Sequence, residues 1–220
     1  MTKATLSDLD VQDMVRDELE WVPDVDSAGI GVSVEEGAVT LSGEVDSYAE
    51  KLAAKSAALR VRGVRTVADD LIVRSKGTPP SEIDIVREVD HALKTAVNVP
   101  RSVQAEVTDH HVLLIGEAAW EYQRHAAQHA VQYLPGVYTI SNMIRLTQRP
   151  SAPDTQQRIA DALTRHAQLD AESIHVAVEG SRVTLTGIVH SWAESAQAAD
   201  AAWASPHVTE VLNHLIIKAF

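Results

Sequence analysis

Few residues in this chain are able to do chemistry, and their spacing limits what they can do. There is no cysteine among the 220 residues, which removes thiolate nucleophiles, thiolate metal ligands and disulfides. All ten histidines lie beyond residue 90. His125 and His129 stand four apart in a helical pattern, so both imidazoles could face one metal ion. Two ligands are too few for a closed zinc site. Ala126-Ala127-Gln128 between them lacks the glutamate base of the His-Glu-x-x-His hydrolases. The pair is a weak metal candidate, and the expectation is no metal. His110-His111 falls in a turn and is expected to be solvated. No G-x-S-x-G elbow is present, nor a G-x-x-x-x-G-K phosphate loop. The adjacent carboxylates Glu35-Glu36 and Asp69-Asp70 read as solvated charge. Asp69 has counterparts at Asn142 and Asn213, and a short polar residue repeated there is expected to fix a backbone turn rather than bind a cation. No catalytic constellation emerges, so the reading is non-enzymatic.

The elements that must position these residues are set by a repeat. Val39-Thr40-Leu41-Ser42-Gly43, Val112-Leu113-Leu114-Ile115-Gly116 and Val183-Thr184-Leu185-Thr186-Gly187 are versions of one segment. About twenty residues after each comes a small residue or histidine followed by valine: Gly63-Val64, Gly136-Val137, His207-Val208. Such a period marks tandem modules, and the boundaries read as 1–76, 77–149 and 150–220. The linkers are Ser75-Lys76-Gly77-Thr78-Pro79-Pro80 and Gln148-Arg149-Pro150-Ser151-Ala152-Pro153, both proline-rich and stiff. A unit this small is marginal alone, because it buries only about 60% of its unfolded surface, so the three are expected to pack together.

Each unit reads helix, strand, strand, helix, strand. Val11, Val15 and Leu19 recur at helical spacing after the Ser7–Asp10 cap pair, as do Ile85, Val89, Leu93 and Val97 after Ser81, and Ile159 and Leu163 in the third unit. Ile30 to Val34 alternates as a half-buried strand, Glu35-Glu36-Gly37 turns, and Val39 and Leu41 return. The second helix opens on the capping boxes Ser47–Glu50 and Ser191–Glu194. Its buried stripe reads as alanine: Ala49, Ala53 and Ala57, with Ala193, Ala198, Ala201 and Ala202 in the third unit. Gly43, Gly116 and Gly187 read as structural glycines closing a strand where a side chain would not fit. Gly63 and Gly136 end the second helix in a left-handed conformation, whereas His207 requires another construction or a strained backbone. The fold class is α+β: three tandem α-β-β-α-β repeats, each a small, mostly three-stranded mixed sheet with two helices on one face.

The middle unit breaks its own pattern. Leu113 and Ile115 stand where the others carry Thr40, Ser42, Thr184 and Thr186, and a strand apolar on both faces is usually covered on both. That outer face is expected to pack on a neighbouring repeat or a partner chain. Trp120 replaces the capping serine. Leu113, Ile115, Trp120, Tyr122 and Trp192 form the candidate binding surface.

The repeated V-x-L-x-G segment, the helix after it, Gly63-Val64 and Gly136-Val137, and the last strand with Val67, Ile140 and Val211 resemble the BON domain, over nearly the whole chain and three times. The third repeat departs from the pattern at His207. The resemblance implies a non-enzymatic bacterial module associated with osmotic and envelope stress and with phospholipid surfaces. A cytoplasmic relative that carries a LysM domain binds potassium; no LysM pattern appears here. The net charge is −12, and none of the three units is net basic, which argues against nucleic acid, where cationic contacts dominate affinity. It also weakens attraction to anionic lipid. The N-terminus lacks the apolar core of a secretory signal, and no run is long enough to span a membrane, so a cytoplasmic location is expected. The leading expectation is a binding or scaffold protein for a protein partner or phospholipid surface, with self-association as one form. The second is potassium sensing, a monovalent cation being the one cofactor in view.

Overall fold

In the computed structural model the described residues are 6–148, 154–165 and 173–218. Residues 149–153 of the second linker lie outside them. The first repeat comprises α1 (Asp8–Trp21), β1 (Ile30–Glu35), β2 (Ala38–Val45), α2 (Tyr48–Arg60) and β3 (Thr66–Val73). The second has α3 (Glu82–Thr95), β4 (Gln104–Thr108), β5 (His111–Ile115), β6 (Glu117–Ala118), α4 (Glu121–Val131), β7 (Thr139–Asn142) and β8 (Arg145–Leu146). The third has α5 (Thr155–Arg165), β9 (Ile174–Glu179), β10 (Arg182–Val189), α6 (Trp192–Trp203) and β11 (Glu210–Ile217).

Each sheet is mixed. β2 pairs antiparallel with β1 and parallel with β3, and β5 and β10 are the corresponding central strands. The parallel pairing follows from the helix between the two strands, since a crossover is needed to return in the same direction. Both helices lie on one face. Alternation along the central strand puts Val39 and Leu41, Val112 and Leu114, Val183 and Leu185 on that face, all fully buried. Three separate cores result, each built from its own repeat.

α1 and α3 start as read, on Ser7 and Ser81. Ser7 Oγ accepts from the Asp10 amide while Asp10 accepts from the Ser7 amide. The second helices differ from the reciprocal box. Ser47 accepts from the Glu50 amide, but the Glu50 carboxylate passes over Ser47 to the amides of Asp46 and Asp26. Glu50 is buried by that tie, and it rotates the helix so that Ala54, Ala57 and Ala58 are its buried alanines. An alanine-rich stretch has little hydrophobic contrast, so a buried carboxylate sets its rotation where the apolar period cannot. In α6 the buried set is Ser195, Ala198, Ala201 and Ala202, with Ala193 outside. Val97 lies beyond the end of α3 and is 96% exposed, so it leaves the predicted stripe.

The repeated glycine does not close its strand. β2 and β10 run two residues past Gly43 and Gly187, and only in the middle repeat does the ladder divide, at Gly116, into β5 and β6. The glycine is required by approach of the neighbouring strand. A Cβ on Gly43 would stand 2.1 Å from the Gly29 carbonyl oxygen, with φ at 120°. His207 has no positive φ. The turn it occupies keeps the Val208 to Ser205 backbone bond found as Val64 to Val61 and Val137 to Leu134. A Cβ on Gly63 would stand 2.9 Å from Val11 and one on Gly136 2.8 Å from Ile85; the matching residue of α5 is the smaller Thr155.

The repeats meet through helices. α2 packs on α6, and the Arg124 guanidinium of α4 lies 5.3 Å from the ring centre of Trp203 at the end of α6. The outer face of β5 is expected to pack on a neighbouring repeat or a partner chain; within the chain the extensive contacts of β5 are with β4 and β7 of its own sheet, so no neighbouring repeat covers it extensively. Short alanine helices approach more closely than a face carrying leucine and isoleucine.

Candidate functional site

The five residues of the expected surface do not form one patch. Leu113 and Ile115 project from the outer face of β5 and are half-buried. Their cross-strand neighbours are Glu106, Ser141 and Gln104. Trp120 is half-buried at the N-cap of α4, where Gln123 Oε1 accepts from the Trp120 and Ala119 amides. The Trp120 ring lies 6.4 Å from that of exposed Tyr122. Trp192 begins α6 in the third repeat, and its Nε1 is buried with no hydrogen-bond partner among the described residues. The structure joins Trp120 to Tyr122 and places Trp192 on another repeat.

The histidine turn is more ordered than a solvated loop. Asp109 and His110 both take positive φ, and the Asp109 amide donates to the Glu82 carboxylate at 2.6 Å. His110 stacks on Tyr138 at 4.4 Å, and its Nδ1 is 2.8 Å from the Gly136 carbonyl oxygen. His111 Nδ1 is 2.6 Å from Thr139 Oγ1. These side chains replace the conformational freedom that Gly37 supplies in the first repeat. The expectation of solvated rings missed this because the partners are distant in sequence.

Asp69, Asn142 and Asn213 are a shared latch. The side-chain oxygen of each accepts from the amide two residues on, at 3.3, 3.3 and 3.2 Å. The amides of Asn142 and Asn213 also donate to the helix carbonyls of Arg124 and Ser195. An aspartate has no proton to give, and in the first repeat Lys51 takes over: its Nζ is 3.2 Å from Asp69 Oδ1 and donates to the Leu71 carbonyl at 2.6 Å. The last strand is thus tied to the second helix in every repeat. The Oδ1 atoms of all three residues are engaged with protein donors.

A polar junction lies where α4 meets α6, and sequence patterning did not single it out. Glu121 is buried, 2.6 Å from Arg124 and 3.0 Å from His125. Burial pushes its carboxyl upward, but hydrogen bonds from His125 and Arg124, with their charges, outweigh that and leave it below the ordinary 4.5. The Glu121 hydrogen bond raises His125 above 6.5; burial and Arg124 oppose this, and the charges of Glu121 and Asp200 add to it. The turn of α4 itself brings the three together at i, i+3 and i+4, and α6 adds Trp203 over Arg124 and the charge of Asp200 beside His125. A lowered carboxylate stabilises the fold above its unfolded value and loses that contribution as pH falls through the folded one. A raised imidazole stabilises below its unfolded value and loses it as pH rises. The junction is therefore strongest between about pH 5 and 6. His125 is exposed and solvent-screened, so the expected change from pH 6 to 8 is small, about 0.3 kcal/mol. Urea midpoints across that range should fall in the wild type and flatten in His125→Gln.

His129 does not join His125 at a ligand set. It meets Tyr133 edge-on at 5.2 Å, and among the described residues no group of three His, Cys, Asp or Glu is placed to hold a metal.

Three α-β-β-α-β modules, each closed on its own core and joined through their second helices, define a protein of tandem binding modules. The BON domain model matches residues 7–75, 82–148 and 151–219, and the chain belongs to the BON domain family. Domains of this family are generally non-catalytic and act in binding or scaffolding. A solved structure of CdsD, a structural protein of the type III secretion system of Chlamydia trachomatis, aligns at 13% identity over 96% of this chain and 93% of that one, with a TM-score of 0.28. The C-terminal domain of CdsD aligns at 13% identity over 97% and 100%, with a TM-score of 0.27. At such scores the molecules do not superpose as wholes. No curated protein matches the chain. No helix among the described residues is long and apolar enough to cross a membrane.

Proposed function

We propose that this protein is a scaffold whose middle repeat carries the partner surface, with the first and third repeats as its frame, in the osmotic-stress physiology associated with the family. The observation that supports this is where exposed apolar side chains fall. Of eleven large hydrophobic residues exposed among the described residues, six belong to the middle repeat: Ile83, Val86, Val97, Tyr122, Tyr133 and Met143. More than half of these exposed side chains fall on one module, and exposed apolar surface is the material from which interaction sites are built. A protein partner fits better than a phospholipid surface, because a net charge of −12 repels anionic headgroups. Potassium sensing through oxygens of the loops between repeats is the second reading, and the latch at Asp69, Asn142 and Asn213 is not its site, since the Oδ1 of each already has a backbone donor.

The test is site-specific photo-crosslinking in living cells, with the photoreactive residue at Tyr122, Met143 or, as control, Ile72 of the first repeat. Adducts are expected from Tyr122 or Met143 in excess of Ile72; equal yields at all three would overturn the reading. Leu113→Ser with Ile115→Thr restores the polar pattern of the other repeats. It should cost under about 1 kcal/mol, since both residues are only half-buried, and should lower adduct yield. Unchanged stability, oligomeric state and yield together would remove β5 from the surface.

A further inference from the structure

The first helices of the repeats align through their buried stripes: Val11, Val15 and Leu19 with Ile85, Val89 and Leu93, and with Thr155, Ile159 and Leu163. The next residue is therefore Gln12, Val86 and Gln156 in turn. The edge strands align through their partners, because Val32 sits opposite Leu41 and Ala105 opposite Leu114. In the first repeat the Gln12 side-chain amide donates to the Val32 carbonyl. That bond plugs the open edge of β1 from the helix side. In the middle repeat the same carbonyl belongs to Ala105, and the residue above it is Val86, which has no donor.

The consequence is a groove. Between α3 and β4 it encloses about 800 Å³, walled by Val86, Val89, Leu93, Val103, Ala105 and Val107, with Asp90, Lys94 and Arg101 at its rim. β4 is an edge strand. By correspondence with Val32, the amides and carbonyls of Ala105 and Val107 point into the open side. Edge strands are normally blunted, as Gln12 does for β1. Lys94 is paired with Asp90 at 2.6 Å, whereas Arg101 makes no ion pair among the described residues. The groove thus carries one uncompensated positive charge in a chain of net charge −12.

Resting on the partner-surface reading above, we propose that this groove binds an extended segment of a partner protein, which adds as a fourth strand to β4. Main-chain bonds to Ala105 and Val107 would hold it, and alternate apolar side chains would enter the groove towards Val86 and Leu93. An acidic side chain would meet Arg101. Five residues of β4 admit a segment of about five to six residues at strand rise. An acyl chain would fill the apolar wall but leave the backbone groups of β4 unpaired, so the polar edge favours a peptide.

The test uses the full chain and fluorescein-labelled octapeptides of alternating valine and threonine carrying one central aspartate, or lysine in its place. The aspartate peptide should bind by fluorescence polarisation, and the lysine peptide at least tenfold more weakly. Val86→Gln installs the plug of the first repeat at an exposed position, so folding is preserved. It should weaken the aspartate peptide at least tenfold. Arg101→Glu should reverse the preference between the two peptides, and Gln12→Val should open a second site in the first repeat. Failure of both peptides to bind, or binding untouched by Val86→Gln, overturns the proposal. So does sedimentation of the protein with phosphatidylcholine vesicles in place of peptide binding, or a dimer dissolved by Val86→Gln, which would make a second copy the occupant. Crosslinks from Tyr122 or Met143 that persist in any of these cases would leave the partner-surface reading standing.

Discussion

Gly116→Ala is expected to unfold the middle repeat at physiological temperature. Gly116 has φ at 118°, and a Cβ there would stand 2.2 Å from the Ser102 carbonyl oxygen and 3.1 Å from the Val103 Cα. Neither obstacle is the end of a flexible side chain, so β4 would have to move away from β5. Backbone strain of about 1–3 kcal/mol adds to that separation, and a total loss of roughly 3–5 kcal/mol is expected, the range reserved for the few severe single substitutions. A module of this size has little stability to spare. Thermal melts followed by circular dichroism should show a low-temperature transition of about one third of the amplitude. Gly77→Ala is the control: nothing lies within 4 Å of its Cβ position, and its loss should stay within about 0.5 kcal/mol. If the two variants melt alike, the close approach of β4 to Gly116 is wrong.

Lys51→Met is expected to have the second largest effect, about 2 kcal/mol. The side chains of Lys51 and Asp69 are each only 17% exposed, so removing the ammonium strands a carboxylate in a half-dry site and leaves the Leu71 carbonyl without its 2.6 Å donor. Breaking one partner of a buried pair costs about 3–5 kcal/mol, and partial exposure lowers that figure. The other two repeats supply the remedy. Asn142 and Asn213 make the latch without a cation, by donating to a helix carbonyl. Lys51→Met combined with Asp69→Asn should therefore recover more than half the loss, with a coupling energy of about 1 kcal/mol or more in urea unfolding. Additive losses would mean that the two side chains do not act as one tie.

Legibility differed from residue to residue. Val39, Leu41 and their counterparts could be read because strand alternation and burial obey one period. The Asp69, Asn142 and Asn213 position could be read as structural because it repeats, although its helix partners could not. The rotation of α2 was not legible, since alanine on every side gives no contrast and the deciding group is the buried Glu50. The Glu121, Arg124 and His125 cluster was readable as i, i+3 and i, i+4 pairs on one helix, but its neighbours Trp203 and Asp200 belong to another repeat and were not. The candidate surface was legible only in kind. Comparing copies singled out the middle repeat at Leu113 and Ile115, whereas the proposed groove turns on a donor missing at Val86, whose counterpart Gln12 meets a carbonyl twenty residues away.

By itself the sequence determined three copies of one α-β-β-α-β module and the buried face of each sheet, since these follow from period and local spacing, and its repeated motifs carried the resemblance to the family. The tertiary structure decided how helices rather than sheets join the repeats, why Gly43, Gly116 and Gly187 cannot carry a side chain, and that the edge of β4 is open. Those features are distances between residues far apart in the chain, and a repeat pattern fixes each module's interior while leaving free what the modules present to one another and to a partner.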